Sequence, residues 1–255
     1  MQYTFSYGAQ PEGRYRGSFL FVVSHMRSYS SLLCHILGSH PEISGYTETQ
    51  RSYRSRSDLN GLATAVRATT GEAVLGRYVL DKILHNNLRI VPDVLVRPDV
   101  KVLFLIRTAE DTITSILNMS RALGNEGEFS DPEGVLNYYV SRLQQIDAYS
   151  QQLAFNALLI AAERLITETA ATLDGLSQWL NLEQPLSASY RTFKFTGTRG
   201  HGDPSPSIMA GTVVTDAEER HRSYVPIAVP QHVFLRGNAA YAEYWEKVAS
   251  RSDVR

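Results

Sequence analysis

Continuous apolar runs, each followed by a helical pattern, dominate the first two thirds of the chain. Ser18-Phe-Leu-Phe-Val-Val23 is aromatic and β-branched throughout, which suits a strand covered on both faces. It gives way to the polar stretch Ser24 to Ser28. Leu32, Leu33, Ile36 and Leu37 then recur at helical spacing, with Gly38 placed as a stop. Lys101 to Ile106 is a second such run, and Asp111, Ile113, Ile116 and Leu117 predict a helix from near Thr108. Ala157 to Ala162 is a third, ending at Glu163, with Leu173, Leu176, Trp179 and Leu180 in the helix beyond. A weaker strand is expected from Ala73 to Leu80, stopping at Asp81-Lys82. Ser130-Asp-Pro-Glu133 reads as a capping box opening a helix that carries Val135, Leu136, Tyr139, Leu143 and Ile146. Strands alternating with helices imply an α/β fold with a central parallel sheet between two helical layers. With no repeat and no linker-like stretch, one domain over residues 1–255 is expected.

In such sheets a ligand sits beyond the C-terminal ends of the strands. Three of those ends carry a cation: Arg27, Lys82 and Arg107. Ser28, Ser30 and Ser31 stand where a helix N-terminus offers free N–H groups, an arrangement that favours phosphate or sulfate. The plainer reading is that these serines cap the helix. Three cations on one edge favour a polyanionic ligand.

Composition narrows the partners. Among 255 residues, 25 Lys and Arg against 26 Asp and Glu leave a formal charge of −1, which argues against nucleic acid or an anionic membrane as a general partner. The single cysteine, Cys34, excludes an intramolecular disulfide and is expected in the core; the seven histidines show no metal-ligand spacing. No apolar run approaches the roughly 18 residues needed to span a bilayer, and Met1 to Gly17 lacks the features of a secretory leader. A cytoplasmic protein that uses no metal is expected.

The common nucleoside-triphosphate loop, G-x-x-x-x-G-K-[ST], is not met, because Ser24-His-Met-Arg-Ser-Tyr-Ser-Ser31 lacks both glycines and the lysine. Instead, Met26-Arg27-Ser28-Tyr29-Ser30-Ser31-Leu32-Leu33 resembles the Pro-Arg-Ser-Gly-Thr-Thr-Leu-Leu loop of sulfotransferases that use 3′-phosphoadenosine-5′-phosphosulfate (PAPS). The likeness is to the branch holding many bacterial enzymes and the protein-tyrosine sulfotransferases. His40-Pro41-Glu42 and Gly45-Tyr-Thr-Glu48-Thr49 resemble its next two segments, and the 21 residues from Arg27 to Glu48 match its spacing from loop arginine to catalytic glutamate. Arg107 and Ser115, eight residues apart, match its 3′-phosphate signature; Asp81-Lys82 and Ala162-Glu163-Arg164-Leu165 resemble further segments. The likeness runs from about Ser18 to Leu182.

The resemblance implies a P-loop-like fold and sulfuryl transfer from PAPS to an acceptor hydroxyl or amine. It implies Glu48 as general base, Lys82 and Arg27 as charge stabilisers, and His85 as the reserve base. Arg27, Ser28, Tyr29, Ser30 and Ser31 would hold the 5′ side of the donor, and Arg107 with Ser115 the 3′-phosphate. Arg199, in the Gly-rich stretch Gly197 to Ser205, would add a late-loop contact. Tyr29 departs from the family glycine, Met26 from its proline and Ala162 from a tyrosine near the adenine. The acceptor (small molecule, glycan or peptide) stays open, and so does the oligomeric state. Arg51, Arg54 and Arg56 around Tyr53 are a solvated loop or an acceptor-binding lip. Two other classes remain: a P-loop kinase with a degenerate loop, and a non-catalytic anion-binding protein of the same fold.

Overall fold

A computed structural model describes residues 15, 17–124, 127–153, 157–198, 203, 205–215 and 226–254. Its strands are β1 (Ser18–Ser24), β2 (Ile43–Ser44), β3 (Tyr78–Ile83), β4 (Val100–Ile106), β5 (Ala157–Ala161) and β6 (Asp253–Val254). They form one parallel sheet in the order β2-β3-β1-β4-β5-β6. From β1 the chain winds outward through β2 and returns by β3, then crosses β1 to β4. The reversal leaves a crevice at the C-terminal ends of β1, β3 and β4, where such folds hold ligands.

Helices cover both faces because alternate strand residues point to opposite layers. Leu20, Val22, Leu80, Leu103 and Leu105 pack under α1 (Ser30–Gly38) and α7 (Thr169–Leu180). Phe19, Phe21, Val23, Val79, Val102 and Phe104 pack under α2 (Arg56–Thr70), α4 (Ala109–Ala122) and α5 (Pro132–Leu153). The short α3 (Pro92–Leu95) and α6 (Arg164–Thr167) close loops, and α8 (Gln231–Ala249) lies on α5 and α4. Gly38 ends α1 where a side chain has no room: a Cβ there would stand 2.4 Å from the Gly45 carbonyl. Among the described residues no helix is long and apolar enough to cross a membrane.

Four expectations need correcting. The weak strand begins at Tyr78 rather than Ala73 and runs through Asp81 and Lys82 instead of stopping at them. The Pro132 helix is capped by Asp131, whose carboxylate accepts the Gly134 N–H at 2.9 Å; Ser130 instead closes a turn back to Gly127. The arginine-rich segment after Glu48 is not all loop, since α2 begins at Arg56 within it. Finally, Tyr53 belongs to no lip. It is fully buried against Phe21, and its hydroxyl donates to Asp81 at 2.5 Å.

Arg142 ties the crevice floor together. Its side chain is wholly buried on α5, and its guanidinium donates to the Ser24 carbonyl (2.6 Å), the Ile83 carbonyl (2.6 Å) and Asn86 Oδ1 (3.1 Å). The last carbonyls of β1 and β3 are thereby satisfied by one side chain, which a buried polar group requires.

Candidate active site

The turn after β1 is fixed by its own polar atoms. Ser24 Oγ donates to the Leu105 carbonyl at 2.5 Å, and Ser28 Oγ donates to the His25 carbonyl at 2.8 Å. His25 is fully buried, with Nδ1 2.9 Å from the Met26 carbonyl and Nε2 accepting the Arg107 N–H at 3.0 Å. Burial drives its pKa down to about 3, with the Arg107 and Arg142 charges adding to the effect, so the ring is neutral. His25 therefore bridges the β1 turn to the end of β4. Tyr139 holds the same point by donating to the Arg107 carbonyl at 2.7 Å.

The turn is also strained. Arg27 and Tyr29 both adopt φ of +61°, the left-handed region that costs a side-chain-bearing residue about 1–2 kcal/mol. Tyr29 stands directly before α1 and gives it no side-chain cap. Ser28 is occupied within the turn, so the serine-cap reading fails and the α1 N-terminus faces the crevice without one. The Tyr29 ring lies against the Arg107 guanidinium, 4.3 Å from carbon to centroid.

Around this turn lies a cavity of about 760 Å³ lined by Arg27, Ser28, Tyr29, Ser30, Ser31, Glu48, Lys82, His85, Arg107 and Ser115. Every site residue expected from sequence is there except Arg199, which lies outside the described residues. Arg27 Nε donates to Ser115 Oγ at 2.9 Å, and Arg107 Nη1 donates to the Arg27 carbonyl at 3.0 Å. Lys82 is buried on the α1 side of β3, its ammonium 3.1 Å from Ser31 Oγ and 3.3 Å from Glu48. The other Glu48 oxygen accepts from Gln50 at 3.0 Å. His85, the reserve base, is on no helix with Lys82. It follows the end of β3, where the chain leaves the sheet and turns its ring toward Tyr138, 6.0 Å away. Burial lowers its pKa, outweighing the opposite pull of Glu48. Arg51, Arg54 and Arg56 are absent from the cavity lining.

Each of the three cations already faces a carboxylate: Arg27 meets Asp203 at 2.7 Å, Lys82 meets Glu48 at 3.3 Å, and Arg107 meets Asp111 at 3.2 Å. Nε of Arg107, whose side chain is 3% exposed, has no hydrogen-bond partner among the described residues, so donor capacity remains beside the cavity. Asp81 supports the site from the opposite face of β3. It accepts from Thr49 N–H (2.8 Å), Thr49 Oγ1 (2.7 Å) and Tyr53, which fixes the segment carrying Glu48. Burial pushes its carboxyl up to about 6 even so. Cys34, buried in α1, has its thiol raised to about 12 by burial, so it behaves as an apolar side chain.

Sequence reasoning missed Asp203, Arg142 and the partnership of Asp81 with Tyr53. An aromatic cluster packs residues 190–196 against α1: Tyr46 stacks on Phe193 at 3.9 Å, and His35 lies edge-on to both and to Tyr190. His35 Nε2 is 2.9 Å from Thr196 Oγ1, linking the segment to α1.

No protein-family model matches the sequence, and no curated protein matches it. Among solved structures, the chain is similar to "Sulfotransferase Domain from the Curacin Biosynthetic Pathway", with a TM-score of 0.56 over 91% of this chain and 98% of that one, at 14% identity. The fold is sulfotransferase-like. In this sulfotransferase-like frame the cavity at the ends of β1, β3 and β4 is the candidate active site. Among the described residues, no group of three or more His, Cys, Asp or Glu is placed to hold a metal.

Proposed function

We propose that the chain is a PAPS-dependent sulfotransferase that moves the sulfuryl group in line to an acceptor hydroxyl or amine. The observation that carries this reading is the contact of Lys82 with both Ser31 and Glu48, which sets a cation and a carboxylate base beside the α1 N-terminus. The residues present fit such a donor: the α1 N-terminus lacks a side-chain cap, and Arg107 Nε, at the residue assigned to the 3′-phosphate, is buried without a partner among the described residues. PAPS, when bound, supplies an activated sulfuryl group with a phosphate as leaving group. Little covalent work is left to the protein, so positioning and charge stabilisation dominate.

Glu48 takes the acceptor's proton on its cavity-facing carboxylate. Lys82 is poised to meet negative charge between the loop and Glu48, and Ser31 aims its ammonium. Arg27, braced by Ser115 through Nε, presents the rest of its guanidinium to the 5′ side. Arg107 and Ser115 select for a second phosphate on the ribose and so against ATP. Adenine stacking falls to residues other than Ala162, which is buried in the core.

A thermal-shift comparison tests the donor class. Adenosine 3′,5′-bisphosphate at a hundred times its dissociation constant should add about 2.7 kcal/mol of stability. Stabilisation by ATP-magnesium alone transfers the chain to the kinases. Stabilisation by adenosine 3′,5′-bisphosphate without turnover favours a non-catalytic anion binder, a reading that Tyr29 in the glycine position supports. For turnover, Glu48→Gln should lower kcat by about 10²–10⁴ while leaving nucleotide affinity near wild type. Full activity in that variant removes Glu48 as the base.

A further inference from the structure

Asp203 has no role in the proposed transfer, yet it lines the cavity. Its Oδ1 lies 2.7 Å from Arg27 Nη1, and its own N–H donates to Ser31 Oγ at 3.0 Å. Ser205 holds the carboxylate through its N–H (3.0 Å to Oδ1) and its hydroxyl (2.8 Å to Oδ2). The side chain keeps 24% of its exposure, so it sits at the cavity surface and not in the core. Burial works against its charge, but Arg27 and Ser205 outweigh burial and hold the carboxyl below its usual range. An ionised carboxylate thus occupies Arg27, which an anionic ligand would use, while the backbone N–H of the same residue lies on Ser31 Oγ.

Two roles are open to such a carboxylate: orienting Arg27, or competing for it. Arg27 is oriented without Asp203, since its Nε is held by Ser115 and its carbonyl by Arg107 Nη1. The partners of the other two cations differ in kind. Glu48 is the assigned base, and Asp111 lies on the first turn of α4 with half its side chain exposed. Asp203 alone of the three comes from the late segment of the chain and lies against the β1 turn.

We propose that Asp203 is an internal surrogate for the ligand's anionic group, its carboxylate seated on Arg27, so that a phosphate or sulfate ligand binds there only by displacing it. Asp203 then sets the affinity for the donor and is a specificity-determining residue, not a catalytic one. Naming the ligand a nucleotide rests on the sulfotransferase reading; the competition itself does not. No covalent step is involved, as one anion exchanges for another at a fixed guanidinium.

The test is calorimetric titration of adenosine 3′,5′-bisphosphate into wild type, Asp203→Asn and Asp203→Ser, with folding checked by circular dichroism. Removing the competing charge should tighten binding roughly tenfold, the usual scale of coupling between two sites. Weaker or unchanged binding in both variants overturns the proposal, because Asp203 would then be orienting Arg27. Failure of both variants to fold also overturns it, as the carboxylate would be structural. In an Arg27→Ala background the gain from Asp203→Asn should vanish, and a gain that persists refutes competition at Arg27. If no form binds the nucleotide, the sulfotransferase reading falls, and inorganic pyrophosphate decides the inference. Tighter pyrophosphate binding to Asp203→Asn upholds it, and equal or weaker binding ends it.

Discussion

Acidification should strike this protein through His25. The folded state holds the ring neutral, its pKa driven from 6.5 to about 3 by burial, while the unfolded chain takes up a proton near the ordinary value. Below pH 6.5 the unfolded state therefore binds more protons, and stability is lost as the pH falls from 6.5 toward 3. Each pKa unit is worth about 1.4 kcal/mol, so the whole shift amounts to about 5 kcal/mol, of which about 2 kcal/mol is spent by pH 5. For a chain of this size about 2 kcal/mol corresponds to about 4–8 °C in Tm. His35 and His85 are also lowered by burial and push the same way. Asp81, raised to about 6, opposes them, since its folded carboxyl keeps a proton at higher pH than the unfolded one. A difference measurement removes these shared contributions. His25→Gln retains a donor for the Met26 carbonyl and an acceptor for the Arg107 N–H but cannot titrate. Melting curves of both proteins at pH 7 and pH 5 should show wild type losing about 4–8 °C more than the variant. Parallel pH profiles would refute the assignment of acid sensitivity to this ring.

Three further outcomes follow from geometry already described. Tyr29→Gly should change stability by less than about 1 kcal/mol, because relief of the positive φ offsets loss of the ring against Arg107; a chemical-denaturation midpoint checks it. Arg142→Met should cost at least about 3 kcal/mol, since it strands the Ser24 and Ile83 carbonyls, and near-wild-type stability would show that water replaces the guanidinium. Arg107→Ala should weaken adenosine 3′,5′-bisphosphate by about 10–100-fold while affecting adenosine 5′-phosphate much less, and calorimetry with both nucleotides reads the difference.

The β1-turn-α1 and β4-α4 units were legible because their apolar runs are continuous and their helices start at polar turns. Within β3, the polar pair Asp81-Lys82 imitated a strand end, since pattern alone does not show that each side chain finds partners on its own face. Tyr53 sat among arginines and looked like part of a surface stretch, although its hydroxyl completes the Asp81 cluster. Arg142 was hidden inside a helical apolar pattern, and its role exists only where β1 and β3 end together. Asp203 lay in a Gly-rich stretch noted for Arg199, and only its contacts with Arg27 and Ser31, 176 and 172 residues earlier in the chain, place it at the β1 turn. Local sequence carries the frame of the site and the Arg107–Asp111 pair, while the pairings of Arg27 with Asp203 and Lys82 with Glu48 come from long-range folding.

The matching of Arg27, Lys82 and Arg107 with Asp203, Glu48 and Asp111 has a kinetic consequence. With three positive and three negative groups, the cleft projects little net field beyond a Debye length of about 8 Å in physiological salt. A polyanion approaching from bulk solvent is therefore not steered, and encounter should run at the unassisted rate of about 10⁵–10⁷ M⁻¹s⁻¹, nearly independent of ionic strength. Residence time, not arrival, then distinguishes a good ligand from a poor one.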